Sequence, residues 1–387
     1  MKGPATELIH AGAVDRGASV PLTTPIYETT TFVFDTAQEV VAYNEGRSPK
    51  HLYSRYTNPT VISTEAKLAA LERAEAALLF SSGQGATTTI LMAHAQAGDE
   101  IVCSAAIYGG TLHLLQDVLA RFGVAPRFVS LEELAAPAGV LSDRTRILWF
   151  ESPINPTLRC VDVKAIADAC RARGVLSVID NTFASPINQQ PLSLGVDLAM
   201  QSATKYLNGH SDVTGGVVTG PARLVQPIEK ARRMVGTVMD PHPAYALARG
   251  LKTLPLRIAR HNASALAVAE FLARDRRVSQ VYYPGLASHP DHEIARRQMS
   301  GFGGMVCFDL SAGYRSACRF YDRVQVIKRA ASLGGTESLC SLPVLTSQYG
   351  FTDEQLAAAG VTRGMVRLSV GLEHPDDLIA DLDQALG

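Results

Sequence analysis

Between residues 60 and 220, apolar runs of strand length alternate with stretches whose apolar residues recur at helical spacing. STEAKLAALERAEAALLF opens on a Ser/Thr-rich start, continues with helical periodicity and closes in a strand-like run. IVCS (101–104), RFVS (127–130), ILWFES (147–152), LSVID (176–180) and VDLAMQS (196–202) read as buried strands, most of them separated by helical patterns. The small-residue loop SSGQGATTT leads into a helix that should end near Gly98. This alternation predicts an α/β fold with a doubly wound, mostly parallel sheet. Ligands of such sheets bind beyond the carboxyl ends of the strands, where this reading puts Asp180 and Lys205.

The pattern changes on either side. SVPLTTPIYETTTFVF is rich in Thr and Pro with little helical periodicity, and RSPKHLYSRYTNPT has turn chemistry at Asn58-Pro59. An arm so poor in regular structure cannot bury much of itself, so it is expected to wrap over another surface, such as a neighbouring subunit. Beyond residue 240, YALARGLKTLPLRIARHNASALAVAEFLARD predicts one long amphipathic helix or a kinked pair. VSQVYYPG, GGMVCFDL, VQVIK and MVRLSVGLE predict the strands of a smaller α+β domain. The expected division is an arm over 1–57, a large cofactor-binding domain over 58–245 and a C-terminal domain over 246–387. No internal repeat or low-complexity tract is present.

A net charge of −1 with scattered basic residues gives no electrostatic reason to expect nucleic acid or an anionic membrane as partner. No apolar run approaches the roughly 18 residues of a membrane span. The N-terminus MKGPATELIHAGAVDRG lacks the apolar core of a signal peptide. The six cysteines show neither a C-x-x-C pair nor metal-ligand spacing, and their apolar surroundings predict buried free thiols in a reducing compartment. A cytoplasmic protein without a metal site is the expectation.

Three features carry chemistry. In LLFSSGQGATTT, Gly83 and Gly85 open a helix whose backbone N–H groups can hold a phosphate; a plain tight turn fits the same residues. In VIDNTF, Asp180 ends a buried strand and needs a cation such as a pyridinium, although an N-cap or buried ion pair would also satisfy it. In SATKYLNGHSD, strand alternation would put the hydroxyls of Ser202 and Thr204 on one face and Lys205 on the other. Hydroxyls suit phosphate, and a lysine whose pKa is lowered by neighbouring positive charge suits Schiff-base chemistry. Together, a phosphate cradle, a buried aspartate and a reactive lysine are the parts that hold pyridoxal 5′-phosphate.

At these residues the chain resembles the Cys/Met-metabolism family of pyridoxal-phosphate enzymes, the trans-sulfuration group within fold type I. The resemblance runs through LIHAG, YSRYTNPT, SSGQGA, IYGGT, ESPINPT, VIDNTF, SATKYLNGHSD, RGLKTL, YPGLASHP, SLGGTESL and RLSVGLE, in order along nearly the whole chain. It implies that Lys205 is the Schiff-base lysine and Asp180 the partner of the pyridine nitrogen. Tyr108 would stack on the ring and assist leaving-group chemistry. Gly83 and Gln84 would bind phosphate through their backbones, with Ser202 and Thr204 adding hydroxyls and Asn155 lying near the cofactor's 3′-oxygen. Tyr53 and Arg55 would reach the phosphate of a neighbouring subunit's cofactor. A homo-oligomer follows, usually a tetramer built from dimers that share active sites. Arg367 would clamp the carboxylate of a small amino-acid substrate, with Ser332 contacting the same group. Core packing for Tyr108 and a structural ion pair for Arg367 are the competing assignments.

The same resemblance implies γ-elimination or γ-replacement on sulfur amino acids, of cystathionine γ-lyase or γ-synthase type. O-acylhomoserine sulfhydrylase, methionine γ-lyase and cystathionine β-lyase are the neighbouring activities. A fold type I aminotransferase would use the same Lys and Asp without the YSR and SLGGTES segments. Methionine γ-lyases usually carry a cysteine after the Tyr-Gly pair, where this chain reads Tyr108-Gly109-Gly110. Glu337 resembles an acidic residue that holds a distal substrate amino group, with a turn carboxylate as the alternative. Gln348 stands in TSQYG, where many relatives have a histidine after serine.

Overall fold

The apolar runs of residues 76–220 form seven strands: β1 (Ala76–Phe80), β2 (Glu100–Ser104), β3 (Ala125–Val129), β4 (Thr145–Glu151), β5 (Leu176–Asp180), β6 (Leu198–Gln201) and β7 (Gly216–Gly220). The computed structural model describes residues 3–12 and 21–387, so residues 1–2 and 13–20 of the expected arm lie outside the described residues. The strands join in the order β1-β7-β6-β5-β4-β2-β3. From β3 to β6 all neighbours are parallel, whereas β7 is antiparallel to both β6 and β1. The sheet is therefore mostly parallel, as expected, and it aligns the carboxyl ends of β4, β5 and β6 along one edge.

Helices cover both faces, and their ends are set by local chemistry. The Ser82 hydroxyl accepts the Gly85 N–H at 2.9 Å and starts the helix Gly83–His94, which stops four residues short of Gly98. Asp162 caps the helix Val163–Arg173, and Gly174 closes it at φ 64°. The periodic run after residue 240 is a pair of helices, Pro241–Leu251 and Leu254–Arg274. Pro255 explains the break: it offers no N–H to the Leu251 carbonyl four residues back, so the first helix cannot run on through it, whereas it is tolerated in the first turn of the second.

The second sheet comprises β8 (Val278–Tyr282), β9 (Met305–Leu310), β10 (Lys328–Arg329), β11 (Leu339–Ser341) and β12 (Met365–Ser369), in the order β10-β11-β12-β9-β8. Only Lys328 of the expected 324–328 strand pairs, together with Arg329 just beyond it, while β7 and β11 were not anticipated. The helices Leu254–Arg274 and Pro375–Leu386 bury their apolar faces with this sheet, in a core that includes Val268, Phe308, Phe320, Val366 and Leu382. A further buried cluster joins the two sheets, with Leu79, Ala203, Tyr206, Ile258, Met305 and Leu333 among its members. Tyr206 seals this seam: its hydroxyl accepts the Gly304 N–H at 3.1 Å and its ring meets His261 edge-on.

Within residues 21–57 the only helix is Ala37–Asn44, and a single bridge pairs Thr31 with Tyr53. Leu22 and Val33 stand in solvent, Val33 with 84% of its surface exposed. Among the described residues no helix is long and apolar enough to cross a membrane. All six cysteines are free and five are buried.

Candidate active site

The strand β6 ends at Gln201, so the strand alternation expected for Ser202, Thr204 and Lys205 does not apply. These residues occupy a turn, in which the Lys205 N–H donates to the Ser202 carbonyl and the Gly209 N–H to the Lys205 carbonyl. The turn is clamped from behind by the buried guanidinium of Arg257. Arg257 donates to the carbonyls of Tyr206 (2.7 Å), Leu207 (3.3 Å) and Gly250 (2.9 Å). Gly209 adopts φ 72°, and a Cβ there would lie 1.9 Å from the Arg257 guanidinium. The turn thus requires glycine on two grounds, backbone angle and space.

Lys205 Nζ donates to Ser332 Oγ at 2.8 Å, from the loop that precedes β11. Ser332 sits at φ 88°, an uncommon conformation for a residue with a side chain. Its carbonyl also accepts from Arg367, at 3.4 Å. The other arm of Arg367 donates to Asn155 Oδ1 at 2.8 Å. Arg367 is buried on β12, yet among the described residues it pairs with no carboxylate, only with the Asn155 amide and the Ser332 carbonyl. Among the described residues this gives no structural ion pair, and a carboxylate ligand would satisfy the buried cation.

Asp180 closes β5 on the other side of Lys205. Its Oδ1 accepts the Thr182 N–H at 3.0 Å and the Thr182 hydroxyl, which in turn accepts the Ser202 N–H at 2.8 Å. Thr182 therefore couples the aspartate to the lysine turn. Burial raises the Asp180 pKa, while the Thr182 hydrogen bonds and the Lys205 charge act in the opposite direction. Burial and then the Arg367 charge hold the Lys205 amine below its usual range, against a smaller opposing pull from Asp180. A lysine so placed has a larger neutral, nucleophilic fraction at neutral pH.

Gly83 and Gln84 begin the helix Gly83–His94, beside Ser202. A Cβ on Gly83 would approach the Ser202 Cβ to 3.1 Å, so the glycine keeps this corner open. The Thr204 hydroxyl accepts the Gly215 N–H at 2.9 Å and donates to the Gly215 carbonyl at 3.2 Å. Tyr108 is half exposed, which excludes core packing. Gly110 lies against it: a Cβ there would come within 2.5 Å of the Tyr108 ring and 2.9 Å of the Gln84 amide nitrogen. Glu337 is exposed, accepts the Thr336 hydroxyl at 3.0 Å and neighbours Gly335, which packs on Ser211. Gln348 is buried, with its side-chain oxygen accepting the Ser347 hydroxyl at 2.6 Å.

Tyr53 and Arg55 are not brought to this site within the chain. Arg55 donates to the Arg233 carbonyl at 2.6 Å and stacks between Tyr53 and Tyr56. A cavity of 480 Å³ lies nearby, between the arm and β1, with Arg55, Tyr56, Glu65 and Arg232 in its wall. It shares no residue with the cluster around Lys205. Among the described residues no group of acids, histidines or cysteines could hold a metal ion.

The gathered groups suit pyridoxal 5′-phosphate: helix N–H groups and hydroxyls at an open glycine corner for the phosphate, an acid for the ring nitrogen, and a lysine between them. Two residues of this neighbourhood were missed in the sequence, Glu151 and Arg257. Glu151 was legible in principle, since ILWFE ends an apolar strand in an acid just as LSVID does. Arg257 was not, because an arginine inside a helical pattern gives no sign that it is buried.

Residues 5–387 match the family described as Cys/Met metabolism PLP-dependent enzyme. The chain is 45% identical to a cystathionine gamma-synthase of Mycobacterium bovis, covering all of this chain and 97% of that one. It is 43% identical to an L-methionine gamma-lyase of Pseudomonas putida, covering all of this chain and 98% of that one. The crystal structure of cystathionine gamma-lyase from Lactobacillus plantarum complexed with L-serine superposes with a TM-score of 0.93 at 37% identity, over 99% of this chain and 98% of that one. The chain therefore belongs to the Cys/Met-metabolism family of pyridoxal-phosphate-dependent enzymes, with the α/β architecture of fold type I.

Proposed function

We propose that this enzyme catalyses γ-elimination or γ-replacement on a sulfur amino acid, of the cystathionine γ-lyase or γ-synthase type, in the cytoplasm. The observation that carries the choice is Gly110. A Cβ there would only push aside the ends of the flexible Tyr108 and Gln84 side chains, so the support is the glycine itself, at a point where methionine γ-lyases usually place a cysteine. The exposed Glu337 carboxylate, on the segment that also supplies Ser332, supports a substrate carrying a second amino group. The large domain 58–245 carries Lys205 and Asp180, the C-terminal domain 246–387 supplies Arg367, and the arm 1–57 serves the neighbouring subunit. Cytoplasmic operation is supported by the free, mostly buried thiols.

Bound pyridoxal 5′-phosphate supplies the electron sink that makes the substrate's Cα–H acidic. The protein's own residues do the rest. Arg367 and Asn155 receive the α-carboxylate and fix the plane in which Cα lies. Asp180 supplies negative charge at the ring nitrogen. Lys205 is the attachment lysine and, as a neutral amine, takes the proton from Cα, hands it on, and, neutral again, takes the one from Cβ. The Tyr108 hydroxyl faces the leaving sulfur or oxygen. Gly83, Gln84, Ser202 and Thr204 anchor the phosphate.

Product analysis tests the reading. The enzyme is expected to release cysteine and 2-oxobutyrate from cystathionine, or to make cystathionine from O-succinylhomoserine and cysteine. Homocysteine and pyruvate from cystathionine would instead identify β-cleavage. Thiol release from methionine alone would overturn the argument from Gly110.

A further inference from the structure

The parallel pairing of β4 with β5 sets Glu151 in register with Asp180. Two acids thus end neighbouring strands at the edge where the site lies. Glu151 is buried and none of its partners among the described residues is a cation. Its Oε1 instead accepts the Tyr108 N–H at 2.6 Å, and the Asn155 N–H is close enough to favour the charged form of the same carboxyl. Tyr108 ends the loop after β2, as the N-cap of the helix Gly109–His113, and Asn155 lies in the loop after β4. Asn155 then accepts from Arg367, whose second arm reaches the Ser332 carbonyl, and the Ser332 hydroxyl accepts from Lys205. One buried acid therefore stands where the Tyr108 loop and the Asn155–Arg367–Ser332 chain meet.

We propose that Glu151 is a positioning residue of this active site, which ties the Tyr108 loop to the Asn155 loop and so sets the phenol and the Arg367 guanidinium in a fixed relation to Asp180. The inference rests on the site roles proposed above. It explains why an otherwise apolar strand ends in an unpaired acid: the inward-facing Tyr108 N–H needs an acceptor, and leaving it unmet is costly. Burial, then the nearby Asp180 charge, push the Glu151 carboxyl well above the usual carboxylate range, against the backbone N–H groups of Tyr108 and Asn155. Cys103 on β2 faces the same group, and burial and Glu151 both favour its neutral thiol. Glu151 therefore serves here as a hydrogen-bond acceptor with no cation against it. An amide of the same length offers the same acceptor without charge, so glutamine is a faithful replacement and alanine is not.

The test uses full-length Glu151→Ala, Glu151→Gln and Glu151→Asp enzymes loaded with pyridoxal 5′-phosphate. Three quantities are read: the cofactor's dissociation constant, its visible circular dichroism, and kcat and KM on cystathionine. In Glu151→Ala the dichroism should weaken as Tyr108 loosens, and KM should rise through Arg367. The combined fall in kcat/KM should be about 100-fold, the scale expected when a reacting group is misplaced by an ångström. Glu151→Gln should recover most of each loss, while Glu151→Asp, one methylene short, should not. If Glu151→Ala fails to fold, the contrast between glutamine and aspartate carries the test. Glutamine and aspartate variants equal to wild type in dichroism and KM would overturn the proposal, as would a folded glutamine variant as impaired as alanine. Borohydride fixation of the cofactor on wild-type Lys205 is the control. Its failure would strike the site reading itself, whereas fixation with indifferent Glu151 variants would strike this inference alone.

Discussion

Two cations share the heart of the site, and each sets the other's behaviour. Lys205 is held below the usual lysine range first by burial and second by Arg367. Arg367 is itself buried, with amide and carbonyl oxygens as its neighbours. A nearby positive charge disfavours the protonated amine, so its removal must raise the lysine pKa. In Arg367→Gln, Lys205 should accordingly keep its proton to higher pH. Capture of added pyridoxal 5′-phosphate by the apo-enzyme needs the neutral amine, so its rate should acquire a more alkaline midpoint. KM should also rise roughly 10–100-fold, the scale of a lost hydrogen bond to a charged group. Stopped-flow capture rates across the neutral to alkaline range, together with KM, check both parts. An unmoved midpoint would free Lys205 from Arg367, and an unchanged KM would remove Arg367 from the substrate.

At the scale of elements, the central parallel strands were legible because burial on both faces writes continuous apolar runs, and Asp180 and Lys205 stood where those runs end; β3, read as buried, is an edge strand with Arg127 exposed. The short, late-pairing strands were not: β7 reads only GVVTG, and β11 is three residues long. Alternation also misled at Ser202, because nothing in MQSATK marks Gln201 as the last strand residue. What shapes the turn after it is a distant helix. Arg257 projects from Leu254–Arg274 into three carbonyls, and its burial lowers its pKa to about 10. The sequence NGHSD then has a physical meaning, since Gly209 alone can pass the guanidinium at φ 72°. Gly209→Ala should cost ~1–2 kcal/mol from its backbone angle alone, and more through Arg257. It should lower the melting temperature and the fraction of Lys205 that borohydride fixes to cofactor. If the variant melts and captures cofactor like wild type, the clamp does not set the lysine turn.

At the scale of the whole molecule, the lysine and aspartate come from the first sheet and the arginine from the second, so the site closes only when the seam between them packs. Even then the chain leaves its phosphate corner short of cations, because Arg55 is turned away on the end of the helix Ala222–Val235. The surrounding arm exposes Leu22, Val33 and Tyr53, a poor arrangement for an isolated subunit and a reasonable one for a surface that another copy covers. A two-fold pairing would exchange the arms reciprocally and bring each Arg55 to the other subunit's Lys205. The consequence is arithmetic. An Arg55→Ala subunit keeps Lys205 but offers no arginine, and a Lys205→Ala subunit does the reverse. Each mixed dimer then contains one intact site and one doubly defective site. Equal mixing makes half the dimers hybrid, so activity should recover to roughly one quarter of wild type, although each parent is inactive or nearly so. Activity of remixed subunits, scored against the hybrid fraction from mass spectrometry, decides it. Hybrids that form in the expected proportion and remain inactive would show that Arg55 serves its own subunit.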